Sequence, residues 1–210
     1  MPATETLPSR LMPDILERVA NRSPLMVFDI GMGVHETVEL FGQRRCRLHF
    51  SALHDALVPP PVAKPTTAPG QIPDKKAEED ALYRLWKERF SSVINYSPDT
   101  RFDVCLFWDF FNYLDDIALR AFADVLTPFL SPATLAHAYL LLKPGTDVLN
   151  REYGILSQDQ ISVRPGTYAS LPSYPRPQAR VTSMLKEFSV NHSVLRRDGL
   201  LEVALKSANR

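Results

Sequence analysis

The most constraining feature of the chain is an apolar run that ends in an acidic residue and two glycines. Residues 25–30 read Leu-Met-Val-Phe-Asp-Ile, and Gly31 and Gly33 follow directly. A continuous apolar run bounded by glycine is typical of a strand buried on both faces of a parallel sheet. Apolar side chains then recur at helical spacing over 34–41. The stretch therefore predicts a strand, a glycine turn and a helix in succession.

These elements form the first unit of a Rossmann-like α/β fold, where glycine lets the backbone approach a ligand at a helix N-terminus. A dinucleotide fingerprint needs a third glycine, but Glu36 occupies that position, which disfavours a nicotinamide oxidoreductase. The pattern Asp29-x-Gly31-x-Gly33 instead resembles motif I of the class I S-adenosylmethionine-dependent methyltransferases. The resemblance implies that Asp29 helps to hold the amino-acid end of the cofactor and that the glycines pass beneath its sugar. A turn in which glycine only relieves crowding is the competing interpretation.

A second stretch, 102–114, resembles motif IV of the same family. It begins with Phe-Asp, continues as a buried apolar strand, and ends with Asp109, Asn112 and Tyr113. Ligands of open α/β sheets bind at the carboxyl ends of strands, so these side chains would face a reacting group. The resemblance makes Asp109 and Tyr113 the candidate catalytic residues, and Asp109 and Asn112 candidate cofactor-binding residues. The competing interpretation places the aromatic residues in the core and pairs Asp109 with local backbone groups.

The chain also departs from the family pattern. The predicted second strand, 46–53, lacks the terminal carboxylate that takes the ribose hydroxyls of the cofactor, and Asp55 comes later, on a loop. The only candidate for a third strand is the short run 93–96. The Asn/Asp-Pro-Pro-aromatic signature of amino-directed nucleic-acid methyltransferases is absent, which argues against nucleobase amines as substrates. His49 and His54 are interpreted as ordinary exposed polar residues.

The remaining elements complete one α/β domain over residues 1–210. A three-layer sandwich is expected, with a mostly parallel sheet that a C-terminal antiparallel hairpin closes. The two strands of this hairpin are expected over 188–196 and 200–205. Asp198-Gly199 between them predicts a type I′ turn. Further helices are expected over 13–20, 77–94, 115–130 and 179–188, and a fifth strand over 134–142. The proline-rich stretch at about 57–76 is expected to be a mobile loop, and 146–177 a polar segment that in the family commonly covers the substrate.

Composition excludes several classes of function. Lysine plus arginine and aspartate plus glutamate both number 24, so no net field draws the chain to nucleic acid or to an anionic membrane. No apolar stretch is long enough to cross a bilayer, and we expect a cytoplasmic protein. Cys46 and Cys105 are expected to be buried, inert thiols, and the histidines and cysteines lack metal-ligand spacing.

Two functions follow as hypotheses. The first is an S-adenosylmethionine-dependent methyltransferase-like protein that acts on an unknown small-molecule or protein acceptor. The second is a catalytically inactive protein of the same fold that serves as a binding or regulatory module. The missing ribose carboxylate, the weak third strand and the bulky Met32 favour the second hypothesis, so enzymatic activity is undecided at this point.

Overall fold

The computed structural model of the chain describes residues 4–63, 74–144, 151–166 and 171–208. The strands in these ranges are β1 (Glu5–Pro8), β2 (Leu25–Asp29), β3 (Cys46–Phe50), β4 (Val104–Trp108), β5 (Leu135–Leu141), β6 (Arg151–Ile155), β7 (Gln160–Pro165), β8 (Phe188–Leu195) and β9 (Leu200–Ser207). The helices are α1 (Met12–Arg18), α2 (His35–Gly42), α3 (Lys75–Val93), α4 (Asp116–Leu126) and α5 (Gln178–Met184). Short 3₁₀ turns occupy Leu53–Leu57, Phe110–Tyr113 and Thr127–Phe129.

The larger sheet has six strands in the order β3-β2-β4-β5-β9-β8. Its first four strands are mutually parallel, and β9 runs antiparallel to both of its neighbours. Every residue of β4 is buried, because the sheet is covered on both faces and leaves no polar face to the strand. The predicted α/β, mostly parallel, Rossmann-like sheet with a closing C-terminal hairpin is confirmed.

The third strand is missing from the described part of the chain. There, no strand lies between β3 and β4 in sequence, and β3 forms the edge of the sheet. The candidate run 93–96 is the last residue of α3 and the irregular chain after it. Half of the predicted proline-rich loop, 64–73, lies outside the described residues. None of the described helices is long and apolar enough to cross a membrane.

The predicted turn type of the C-terminal hairpin is wrong, although the hairpin itself is present. A type I′ turn needs positive φ at both central residues, but in this turn only Gly199 has it, at 84°. The Gly199 N–H donates to the Arg196 carbonyl at 3.2 Å, and the Arg196 N–H donates to the Leu200 carbonyl at 2.9 Å. This is a three-residue loop in which a left-handed glycine follows a tight turn.

A second sheet, absent from the sequence prediction, has the order β1-β7-β6 with both pairs antiparallel. Strands β6 and β7 lie within the polar segment 146–177, for which the sequence predicts no particular element. The N-terminal strand β1 was not predicted either, and it joins them from the opposite end of the chain. This sheet places β6 beside the carboxyl end of β2.

Glu202 on β9 fastens the N-terminal segment to the larger sheet. Its carboxylate accepts hydrogen bonds from the hydroxyl of Ser9, from the backbone N–H of Arg10 at 3.2 Å, and from that of Leu11 at 3.4 Å. His137 Nε2 on β5 lies 3.0 Å from the same carboxylate. Burial opposes ionisation of Glu202, but His137 and the other donors outweigh it and lower the pKa to about 2. Glu202 is therefore a buried anion with a full set of partners.

Candidate functional site

The carboxylate of Asp29 ends β2 and turns back onto the glycine loop. Its Oδ1 accepts hydrogen bonds from the Gly31 N–H at 2.8 Å and from Trp108 Nε1 at 2.9 Å. Burial raises the pKa of Asp29 to about 6, although both hydrogen bonds oppose the shift. The side chain that the resemblance assigns to the cofactor thus bonds to two groups of the protein itself.

Gly33 has a structural reason to be glycine. Its φ is 80°, and a Cβ at this position would lie 3.0 Å from ring atoms of Phe50 at the end of β3. Both the left-handed backbone and the close ring therefore exclude larger residues. Met32, between the two glycines, is 59% exposed.

Trp108 stands at a distortion in β4. Its φ is 47°, which is unusual for a bulky residue, and the pairing register with β5 shifts between Leu106 and Trp108. In this conformation the indole N–H reaches the carboxylate of Asp29. The ring of Tyr153, on β6, stacks on the indole with a centroid distance of 5.4 Å and an interplanar angle of 7°.

Strand β6 packs against the N-terminus of α2, directly after the glycine loop. A Cβ on Gly154 would lie 2.4 Å from Val34 Cγ2, so only glycine permits this approach. The Ile155 N–H donates to the hydroxyl of Thr37 at 3.0 Å. Arg164 on β7 donates to both carboxylate oxygens of Glu36, at 2.6 and 2.5 Å. The second sheet is thus fastened over the glycine loop by packing, a hydrogen bond and an ion pair.

A cavity of only about 20 Å³ is left between the glycine loop and β6. A single water needs roughly 10–15 Å³ by this measure, whereas pockets for drug-sized ligands enclose about 300–1,000 Å³. Its lining residues are Gly31, Met32, Val34, His54, Trp108, Arg151, Glu152 and Tyr153. As far as the described residues define it, this cavity is too small for S-adenosylmethionine.

Asp109 follows Trp108 and is fully buried. Its Oδ2 accepts hydrogen bonds from the phenols of Tyr113 at 2.9 Å and Tyr153 at 3.3 Å. His54 Nε2 lies 4.0 Å from its Oδ1. Burial raises the pKa of Asp109 to about 7, against the opposing effect of the two phenols. Asp109 therefore exchanges its proton near neutral pH.

The prediction that His54 is an exposed polar residue is wrong, because the structure leaves it only 5% exposed. It belongs to the 3₁₀ turn after β3 and meets the rings of Phe110 and Tyr113 edge-on, at 5.3 and 5.7 Å. Burial lowers its pKa to about 4. His54 is thus a neutral aromatic wall of the site at physiological pH.

Asn112 is used by the fold. Its Nδ2 donates to the Tyr139 carbonyl at 3.0 Å, and its Oδ1 accepts from the Leu141 N–H at 2.8 Å. The side chain holds the 3₁₀ turn Phe110–Tyr113 to β5. Its assignment to cofactor binding stays a prediction, as do those of Asp29, Gly31, Gly33 and Asp109, and the catalytic assignments of Asp109 and Tyr113.

No carboxylate side chain lies at the end of β3, where the family pattern has one for the ribose hydroxyls. The Ser51 N–H donates to the Asp29 carbonyl at 3.1 Å, and Ala52 turns the chain with a φ of 44°. The 3₁₀ turn then begins, and Asp55 within it is exposed. This edge of the cleft therefore presents backbone and a small side chain instead of an acid.

The structure brings together Asp29 and Gly31 on one side of the site, and Asp109 and Tyr113 on the other. Trp108 and Tyr153 join these groups, and sequence reasoning assigned neither to the site. Trp108 could have been found, because it directly precedes Asp109 in the motif IV stretch. Tyr153 lies in a segment with no recognisable motif, and only the strand pairing reveals its place.

The chain matches no known family model and no curated protein. Among solved structures, an S-adenosylmethionine-dependent methyltransferase from Clostridium acetobutylicum aligns with a TM-score of 0.49 and 11% identity, over 97% of this chain and 93% of that one. A 1,6-didemethyltoxoflavin-N1-methyltransferase from Burkholderia thailandensis, with bound S-adenosylhomocysteine, aligns with a TM-score of 0.48 and 14% identity, over 95% and 78%. The glycopeptide N-methyltransferase MtfA gives 0.45 and 13%, over 93% and 94%.

These TM-scores are below 0.5, so the fold assignment rests on the strand order of this chain. The order β3-β2-β4-β5 reproduces the doubly wound arrangement. In that arrangement a glycine turn follows the strand of the sheet that comes first in the sequence, which here is β2. The hairpin β8-β9 then closes the sheet with its one antiparallel strand, as expected for a methyltransferase sheet. The chain therefore has a class I S-adenosylmethionine-dependent methyltransferase-like fold.

Proposed function

We propose that this methyltransferase-like protein is catalytically silent and serves as a ligand-binding or regulatory module. One observation carries the proposal: the indole N–H of Trp108 bonds to the carboxylate that would hold the amino-acid end of the cofactor, and Tyr153 covers that indole. Cofactor binding would have to displace both side chains. Its binding energy would be spent partly on opening the protein, which weakens the apparent affinity.

S-adenosylmethionine is still the cofactor to test, since solved proteins of similar fold are described with S-adenosylmethionine or S-adenosylhomocysteine bound. The end of β3 offers no carboxylate for the ribose hydroxyls. Hydrogen bonds to a charged group contribute about 1.5–3 kcal/mol, so their loss weakens binding by roughly tenfold to a hundredfold. We therefore expect weak binding at most.

Calorimetric titration with S-adenosylhomocysteine tests the proposal. We expect no detectable binding to the wild type below about 1 mM, and measurable binding to Tyr153→Ala, which removes the covering ring. Ala52→Asp places a carboxylate where the backbone is already left-handed, a conformation that Asp tolerates. In the Tyr153→Ala background it should strengthen binding by about tenfold or more. Low-micromolar binding by the wild type would refute the proposal.

Methyl transfer to a small-molecule or protein acceptor is the second candidate function. It is favoured by Asp109, a buried carboxylate that gains and loses a proton near neutral pH beside the phenol of Tyr113. A group of this kind suits general-base chemistry. The test is release of S-adenosylhomocysteine from S-adenosylmethionine with a panel of phenols, amines and thiols. An active enzyme would lose this turnover in Asp109→Asn.

A further inference from the structure

Tyr153 fills the space beside Trp108 and Asp109, which we call the cleft, and makes contacts there of the kind that a bound ligand would make. Its ring lies parallel to the indole of Trp108, at 5.4 Å, and its hydroxyl lies 3.3 Å from Asp109 Oδ2. Its ring also meets that of Tyr139 at 5.5 Å, tilted by 33°. The phenol of Tyr153 is thus contacted by the flat face of an indole, by a second aromatic ring and by a buried hydrogen-bond acceptor.

The receiving surface belongs to the larger sheet and its connections, whereas the phenol belongs to the second sheet. Trp108 is held in place by its hydrogen bond to Asp29, and Asp109 by its hydrogen bond to Tyr113. Neither hydrogen bond involves β6. The receiving surface is therefore preorganised independently of the side chain that now fills it.

From this division we infer that the cleft binds a planar aromatic molecule carrying a hydroxyl group, which stacks on Trp108 and donates to Asp109 in the place of Tyr153. The inference rests on the proposed function, because it names the ligand class of that same cleft. The ligand needs a flat ring to match the indole face. It also needs a donor, because without one Asp109 would lose the hydrogen bond that Tyr153 now supplies.

Strand β6 can leave the cleft without disrupting the larger sheet. It is an edge strand whose only described strand partner is β7. Its contacts with α2 include the hydrogen bond from Ile155 to Thr37 and the packing of Gly154 on Val34. Breaking these local contacts exposes the Trp108 face while all six strands of the larger sheet stay paired.

The test compares 2-naphthol, which is planar and carries a hydroxyl, with naphthalene, which lacks it. Binding is measured by fluorescence titration and calorimetry on the full chain. Gly154→Ala keeps Tyr153 but strains the packing of β6, because the new Cβ would lie 2.4 Å from Val34 Cγ2 and 2.7 Å from Ser162 Oγ. Gly42→Ala is the matched control, since no atom lies within 4 Å of a Cβ at that position.

We expect Gly154→Ala to bind 2-naphthol at least tenfold more tightly than the wild type and Gly42→Ala do. We also expect it to prefer 2-naphthol over naphthalene by at least fivefold. Adding Asp109→Leu, which removes the acceptor, should abolish that preference. Equal affinity of Gly154→Ala for the two probes, or equal affinity of all three proteins for 2-naphthol, would overturn the inference.

A second measurement does not depend on any variant. In the wild type, saturating 2-naphthol should speed hydrogen exchange of the β6 amides, including Ile155, and leave that of β9 unchanged. Binding without faster exchange in β6 would place the probe elsewhere and refute the inference. The S-adenosylhomocysteine titration separates the two proposals. Tight cofactor binding defeats the proposed function, whereas failure of 2-naphthol alone defeats only this ligand assignment.

Discussion

Asp109 and Glu202 are both almost completely buried, yet their carboxyl groups behave in opposite ways. Glu202 collects a hydroxyl, two backbone N–H groups and the ring of His137, and its pKa falls to about 2. Asp109 accepts hydrogen bonds from the phenols of Tyr113 and Tyr153, and its pKa rises to about 7. Burial alone therefore does not decide the charge of a carboxylate.

The difference lies in the donors. At Glu202 a nearby imidazole, a hydroxyl and backbone N–H groups stabilise the anion strongly enough to overcome desolvation, whereas at Asp109 two phenols and the residue's own backbone N–H offset only part of it. Glu202 thus serves as a permanent structural anion between the N-terminal segment and β9. Asp109 stays poised to change its charge, at the carboxyl end of β4 where ligands of this fold bind.

The largest effect is expected from Glu202→Gln. The change removes the negative charge beside His137 and replaces one acceptor oxygen by a donor, beside the Arg10 and Leu11 N–H groups. Each hydrogen bond to a charged group contributes about 1.5–3 kcal/mol, and several are weakened at once, so the free energy of unfolding should fall by about 3–5 kcal/mol. Urea unfolding measures the loss. Glu88→Gln, on the exposed face of α3, is the control and should change stability by less than about 0.5 kcal/mol.

Asp109→Asn should change the pH dependence of stability. The folded pKa of Asp109, about 7, lies above its unfolded value, so the folded state holds the extra proton between about pH 4 and 7. The contribution of Asp109 is therefore lost as pH rises through this window. From pH 5 to 7 the stability of the wild type should fall relative to the variant by about 2 kcal/mol, and it should level off above pH 8. A constant difference between the two proteins from pH 5 to 8 would contradict the raised pKa.

The larger sheet was predictable because its signals are local. Strands β2 and β4 are buried on both faces, so they appear in the sequence as continuous apolar runs. Gly33 was identifiable because its left-handed backbone requires glycine wherever the surrounding chain comes from. The absence of a third strand from the described residues between β3 and β4 was also visible, as the lack of any clear apolar run of sufficient length in this part of the sequence.

The second sheet could not be predicted because it depends on pairing across the whole chain. Strand β1 has four residues and ends in Pro8, and it pairs with residues about 150 positions later. No local pattern encodes such a contact. The burial of His54 and the position of Tyr153 in the site both depend on long-range packing around the site. The closed state of the cleft, unlike the fold that contains it, was therefore beyond the reach of sequence patterns.

Ser9→Ala tests how far hydrogen-bond donors stabilise the Glu202 carboxylate. The hydroxyl of Ser9 donates to Glu202 and also accepts from the Met12 N–H at 3.0 Å. Losing a hydrogen bond to a charged group costs about 1.5–3 kcal/mol at pH 7. Because the pKa of Glu202 is lower in the folded state than in the unfolded state, its carboxylate stabilises the fold at pH values above the unfolded pKa, and this contribution is lost as pH falls toward 2. The destabilisation caused by Ser9→Ala should therefore shrink over the same pH range. Acid unfolding curves of both proteins measure this, and a loss that is equal at pH 7 and pH 2.5 would exclude the assigned role.

Tyr153→Phe should have the smallest effect, and it tests the hydrogen bond to Asp109. The variant keeps the ring on Trp108 and removes only the hydroxyl, which donates to Asp109 Oδ2 at 3.3 Å. Because that hydrogen bond favours the ionised carboxylate, its loss should raise the pKa of Asp109 further. Above pH 7 the variant should be less stable than the wild type by about 0.5–1.5 kcal/mol, and the difference should narrow at pH 5, where Asp109 is protonated in both. Repeating the comparison in an Asp109→Asn background isolates the contact, since the pH dependence of the difference should then vanish. If it persists there, the hydroxyl acts on another titrating group, and Asp109 is not the partner that makes this cleft differ from the Glu202 site.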